Sequence, residues 1–239
     1  MTVLEREQRF TAEAPPRPRR WVRWAVAAAV VVLAGLAVWL VWFSPVLTVT
    51  EVRVLGTQAV PADEVRDAAG RQLGVPLARV DADGIAARVG AIPQIAAVEV
   101  RRGWPDVLVV VVAERTPLAV VRADGAFAYV DATGTEFGSM TARPSDLPLV
   151  RAAGPAALGS AVGVLHAIPA DHRANITGVV AMTPDDVVLK WRSGAQVQWG
   201  SPERSGRKLD VLLALMKRQA AFYDVSAPDL PTTRGTLGR

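Results

Sequence analysis

The chain has no cysteine, two histidines, three lysines, and no charged residue between Arg23 and Glu51. Without cysteine there are no disulfides, so any exported part is held by its hydrophobic core alone. Thiolate metal ligands are excluded as well. With His166 and His172 as the only imidazoles and no H-E-x-x-H, a metal site would need several carboxylates in no recognisable pattern. Both histidines read as surface or loop residues. No G-x-x-x-x-G-K-[ST] or G-x-G-x-x-G occurs, so neither phosphate-cradling loop is present.

What fills the charge gap is one long apolar run, residues 24–43, WAVAAAVVVLAGLAVWLVWF. At roughly 1.5 Å of rise per residue it just spans a bilayer core of about 30 Å. A secretory signal has a shorter apolar core and a small-residue cleavage site after it. This run ends in Trp39, Trp42, Phe43, Ser44 and Pro45, with no A-x-A. Trp21 and Trp24 stand at its other end, so indole rings mark both headgroup belts of a retained helix. Trp21, Arg23, Trp24, Trp39 and Trp42 are the expected membrane-interface residues.

Charge sets the orientation. The first 23 residues hold six arginines against Glu5, Glu7 and Glu13, whereas Glu51 and Arg53 cancel just past the span. The positive-inside rule keeps the N-terminus in the cytoplasm and sends the rest across, a single-pass type II arrangement. A pI of about 10.1 suggests nucleic acid. Yet 6 of the 27 basic and 3 of the 23 acidic residues belong to that tail, which leaves 21 against 20 beyond the membrane. The excess is placed for the anionic inner leaflet, not for nucleic acid. Pro15, Pro16 and Pro18 make residues 1–23 a disordered, solvated segment.

Beyond the span, residues 46–54 (VLTVTEVRV) alternate apolar and polar, the period of a half-buried strand. Pro61 opens a short helix with Asp63 and Glu64 in its first turn, and Gly70 closes it. Asp81 is the expected N-cap of a second helix through Ile85 and Val89, stopped by Gly90 and Pro93. Strands over 97–101 and 107–114 follow, joined through Gly103, Trp104, Pro105 and Asp106. The order is β-α-α-β-β, with Trp104 folded back over the sheet as a packing cap.

These residues resemble a known family. Val49-x-x-Val52-x-Val54-x-Gly56, the Val80-Asp81 helix start, Pro93, and Val98-x-Val100-x-Arg102-x-Trp104-Pro105 are similar to the polypeptide-transport-associated (POTRA) domain of the bacterial division proteins FtsQ/DivIB. Glu114-Arg115-Thr116-Pro117-x-Ala119 and Asp131-x-x-Gly134-x-x-Phe137 are further matches. At Glu114-Arg115 the first domain passes into the second, where an exposed ion pair would contribute little.

The second domain reads as β-rich from about Leu118, with a strand over 126–130 and a turn at Asp131 to Gly134. The Ala- and Gly-rich stretch 151–163 shows no pattern. Residues 187–191 and 195–199 form a hairpin, and a helix over 202–223 carries Leu209, Leu212, Leu213 and Met216 at helical spacing. The end suits an edge strand over 223–230 and then a flexible tail, 231–239. The expected class is α+β: a basic tail 1–23, a transmembrane helix 24–43, a POTRA domain 46–116 and a β domain 117–230.

No nucleophile and base come together. Ser205-Gly206-Arg207-Lys208 matches the S-x-x-K of penicillin-binding enzymes, but the required S-x-N and K-T-G are missing. Lys190, Lys208 and Lys217 are followed by Trp, Leu and Arg. Asp131-Ala132-Thr133-Gly134-Thr135 lacks the lysine of a P-type pump and fits a tight turn. The rivals kept open are a membrane-anchored wall enzyme using Ser205 and Lys208 and a POTRA module in translocation. The resemblance implies a non-enzymatic, bitopic scaffold of the divisome without cofactors, concentrated at the septum. Its implied partners are FtsB/DivIC-like and FtsL-like proteins. By resemblance the contact falls on Tyr223, Asp224, Val225, Ser226, Ala227 and Leu230, with an extended partner segment added to a sheet edge. Pro228 removes one donor there.

Overall fold

The computed structural model describes residues 20–43, 47–123 and 125–236. Most of the basic tail and the flank 44–46 lie outside the described residues, so the part of the topology reading that rests on them does too. Helix α1 (Arg20–Phe43) runs 24 residues, none of Trp21–Phe43 is buried, and that stretch is long and apolar enough to cross a membrane.

The chain divides into two compact units that alternate along the sequence. One comprises the described residues up to Arg53 with Arg71–Asp81 and Arg101–Val109; the other comprises Val54–Gly70, Ala82–Val100 and the residues from Val110. Strand β1 (Glu51–Leu55), helices α2 (Ala62–Ala69) and α3 (Ala82–Gly90), and strands β2 (Ile95–Gly103) and β3 (Val107–Glu114) give the order β-α-α-β-β, with sheet order β1-β3-β2. Within the first unit Val49, Leu77, Val80 and Leu108 are buried. Within the second, Val65 and Ala69 of α2 and Ile85 and Val89 of α3 are buried, at the spacing of one helical face. Gly56 has φ 89°, and a Cβ there would lie 2.0 Å from the Val112 carbonyl oxygen, so only glycine fits. Trp104 is 54% exposed, so it is not buried in the core as the packing-cap expectation implies.

The remaining elements build a nine-stranded sheet. They are β4 (Ala119–Ala123), β5 (Ala126–Val130), β6 (Glu136–Met140), β7 (Leu149–Ala152), α4 (Pro155–Ala167), α5 (Ala170–Arg173), β8 (Ile176–Thr183), β9 (Asp186–Trp191), β10 (Gln196–Gln198), α6 (Ser205–Leu215), β11 (Phe222–Asp224) and β12 (Thr232–Arg234). The strand order is β12-β11-β10-β9-β8-β7-β4-β5-β6. The pairs β7–β8 and β10–β11 are parallel, so their connections must cross over the sheet; α4 and α5 make the first crossing and α6 the second. Ala157, Ala161, Val164 and Leu165 of α4 and Leu209 and Leu212 of α6 are buried with Val179, Leu189, Val197 and Trp199 of the sheet region. The opposite face keeps Arg122, Arg151, Lys190 and Gln196 in solvent. Helix α6 stops at Leu215, short of the expected 223. The Tyr223 hydroxyl accepts from the Ala220 amide (3.0 Å) and donates to the Arg218 carbonyl (2.8 Å), which holds the chain in a non-helical turn.

Candidate partner-binding edge

Strand β11 is not an edge. Its neighbours are β10, in parallel register Val197↔Tyr223, and β12, in antiparallel register Tyr223↔Thr233. Tyr223 and Val225 point into the core, and the Val225 amide donates to the Gln198 carbonyl at 3.0 Å. After Val225 the chain turns. Asp224 Oδ1 accepts from the Ser226 amide (3.0 Å) and hydroxyl (2.7 Å), and the Leu230 amide donates to the Ala227 carbonyl (2.9 Å). Ser226, Ala227 and Leu230 are exposed on this turn, Leu230 at 80%. Asp229 anchors it through Arg204 (2.7 Å) and Arg207 (2.8 Å). The hydrogen bond from Arg204, followed by the charges of both arginines, holds the Asp229 carboxyl below its usual range.

The outer strand is β12, inside the stretch expected to be a flexible tail. All three of its residues are exposed. The Gln196 amide donates to the Ala221 carbonyl (2.9 Å) and the Val225 amide to the Gln198 carbonyl (3.0 Å), which turns the Tyr223 amide and carbonyl between them towards β10. Backbone groups alternate along a strand, so β12 is held through Phe222 and Asp224, opposite Arg234 and Thr232. The amide and carbonyl of Thr233 therefore point away from β11, to the open edge. The other edge of the sheet, β6, is broken by a register shift against β5 and by Gly138 at φ 64°. Such irregularity blunts an edge against pairing.

Ser205 and Lys208 sit at the start of α6 without the geometry of an activated serine. The Ser205 hydroxyl accepts from Trp199 Nε1 (3.1 Å) and donates to the Pro202 carbonyl (2.7 Å), while Lys208 Nζ donates to the Ser201 carbonyl (2.9 Å). Each is committed to a backbone carbonyl. Burial pulls the Lys208 ammonium below its ordinary pKa, and the residue is 2% exposed. Ser205→Ala leaves the buried Trp199 N–H without its partner and is expected to cost about 1–2 kcal/mol. Chemical denaturation measures that loss. A fluorescent β-lactam should label neither protein, and a band present only in the wild type would contradict this reading.

Residues 47–115 match the FtsQ-type POTRA domain, and residues 119–230 match the C-terminal domain of cell division protein FtsQ/DivIB. The chain belongs to the FtsQ/DivIB family. Cell division protein FtsQ of Streptomyces bingchenggensis is 37% identical over 228 residues, covering 90% of this chain and 86% of its own length. FtsQ of Streptomyces collinus is 33% identical over 260 residues, covering 98% of each, and that of Mycolicibacterium smegmatis 34% identical, covering 91% and 67%. The extracytoplasmic domain of DivIB from Geobacillus stearothermophilus covers 41% of this chain and 87% of its own at 20% identity and a TM-score of 0.35, too loose a likeness to carry an argument.

Membership of the FtsQ/DivIB family assigns the chain to cell division. It also brings the Glu114-Arg115 stretch into focus. These two residues do not pair with each other. Glu114 accepts from the amides of Gln58 (2.6 Å), Ala59 (2.9 Å) and Val60 (2.9 Å), which hold its carboxyl below the usual range. Arg115 donates to the Pro93 carbonyl (3.0 Å) and to Asp131 (2.6 Å), in a largely buried ion pair. The FtsQ-type Asp131-x-x-Gly134 turn thus has a structural cause. Burial raises the Asp131 pKa, but the Thr133 hydroxyl, Arg115 and the Thr135 and Thr133 amides outweigh it and hold the carboxyl at about 2. Its unfolded value is near 4, so the carboxylate adds about 2 kcal/mol above that pH. The contribution disappears as pH falls from about 4 to 2. In Asp131→Asn the stability difference from wild type should be full at pH 7 and close to zero near pH 2; a difference independent of pH would exclude this origin.

Sequence reasoning missed Thr232, Thr233 and Arg234, the arginine pair on Asp229 and the Arg115–Asp131 contact. Two β-branched threonines after Pro231 were the available strand signal. Trp21, Arg23 and Trp24 lie in the first turns of α1 and Trp39 and Trp42 in its last, all exposed.

Proposed function

We propose that this FtsQ/DivIB protein is a non-enzymatic, single-pass scaffold of the divisome that captures FtsB/DivIC-like and FtsL-like partners by strand addition to β12. The observation that carries this reading is the open edge itself: a short exposed strand, outermost in a nine-stranded sheet, with the Thr233 backbone groups directed outwards. A sheet edge in this state accepts an extended segment through main-chain hydrogen bonds. Ser226, Ala227 and Leu230 lie on the turn beside it and supply exposed side-chain contacts. Tyr223 and Val225 support the edge from within, and Asp224 fixes the turn.

In this reading the N-terminus is cytoplasmic, both the POTRA domain (46–116) and the β domain (117–230) are extracytoplasmic, and Trp21, Arg23, Trp24, Trp39 and Trp42 lie at the two headgroup belts. The protein gathers at the septum. Imaging of a fluorescent protein fused to the N-terminus in dividing cells tests this. A septal band before constriction ends is expected, and an even membrane signal throughout the cycle would contradict it.

A further inference from the structure

We propose a second site, on the open face of the nine-stranded sheet, that binds a phosphate group. It is separate from the β12 edge and does not depend on the partner reading. A notch of about 180 Å³ opens there, lined by Arg143, Leu149, Arg151, Gly178, Val180 and Lys190 among others, and no acidic side chain lines it.

The register explains how three cations meet. Lys190 pairs with Gly178, Gly178 with Leu149, and Arg151 with Val180, so β9, β8 and β7 bring these residues to one patch. With strands about 4.8 Å apart and about 3.3 Å of rise per residue, the Lys190 and Arg151 backbones stand about 12 Å apart. Two long side chains close that span around one anion. Arg143 arrives from the β6–β7 connection, and its guanidinium is pinned by the carbonyls of Thr177 (2.6 Å) and Leu147 (3.4 Å). Those bonds use one terminal nitrogen and leave the other donors of the fork available.

Gly178 forms the floor. A Cβ there would come to 3.4 Å from the Leu149 carbonyl oxygen and 3.7 Å from Lys190 Cδ, so the missing side chain is what opens the notch. Arg151 and Lys190 are exposed, and neither side chain has a hydrogen bond or ion pair among the described residues. Like charges held together without a counter-charge repel one another, and a bound anion reverses the sign of that interaction. Three donors approaching from different directions suit the several oxygens of a tetrahedral phosphate better than the two coplanar oxygens of a carboxylate.

The test is calorimetric titration of pyrophosphate into the full chain in a neutral detergent at low salt. Saturable one-to-one binding is expected, weakened by about tenfold or more in the Arg151→Gln/Lys190→Gln double variant. Neither residue makes a contact the fold depends on, so its unfolding midpoint should match the wild type. Gly178→Ala keeps all three charges, fills the floor and should weaken binding several-fold. Equal binding by the double variant, or by Gly178→Ala, would overturn the site in favour of diffuse charge. A glutamate-rich peptide that binds more tightly than pyrophosphate would overturn the phosphate assignment.

Discussion

Val225→Asp should unfold the C-terminal sheet. Val225 is 0% exposed and lies in the same buried cluster as Trp199, Leu212 and Tyr223, and its amide donates to the Gln198 carbonyl. An aspartate at that position buries a carboxylate among the apolar side chains of that cluster, a mechanism that produces the largest losses single substitutions cause. About 4 kcal/mol or more is expected, with rapid proteolysis of residues beyond 118. Val225→Ala, which removes only methyl groups, should cost about 1–3 kcal/mol. Urea unfolding of the three proteins decides it. An unchanged midpoint for Val225→Asp would mean that β11 is not part of the core. With 223–230 read as an edge strand, the same substitution would remove partner binding and leave the fold intact. The burial of Val225 corrects that: loss of binding in this variant reports unfolding and maps no contact.

Thr233→Pro should abolish strand addition and leave the fold standing. The Thr233 amide faces the open edge, so proline there removes a donor that β11 never uses. The Arg234 guanidinium stays stacked 6.0 Å over the Phe222 ring, an exposed contact of modest value. Thr233→Ala is the matching control, because it loses the same side chain and keeps the amide. Against an FtsB/DivIC-like partner, Thr233→Pro is expected to weaken binding by about tenfold or more, and Thr233→Ala by much less. Equal losses in the two variants would assign the binding to the side chain and remove the case for backbone pairing.

The anchor and the first region were legible because their signals are local. A charge-free run of apolar residues needs no tertiary context. The short β-branched run 107–114 reproduces β3, and Pro61 with Gly70, and Asp81 with Gly90, bracket α2 and α3 to within a residue. Helix α4 was not legible. Its sequence PAALGSAVGVLHA is apolar nearly all round, so no stripe marks its buried face. Strand β8 was hidden by register shifts near Ile176 and Thr183, which break the period of two.

The candidate edge failed for a different reason. Residues 216–221 favour helix, yet the Tyr223 hydroxyl ends α6 early and β11 pairs with β10, a parallel partner reached only by a crossover. A strand's neighbours on both sides depend on distant segments, so the step from last strand to edge strand could not be made from local pattern. Three residues between Pro231 and Gly235 were too short to announce β12.

Amide hydrogen exchange of the full-length protein, with and without an FtsB/DivIC-like partner, tests the central claim most directly. Capture by strand addition predicts that the Thr233 amide exchanges fast in the free protein and slowly in the complex, while Thr232 and Arg234, already facing β11, change little. Protection confined to other parts of the chain, with Thr233 exchanging equally fast in both states, would contradict it.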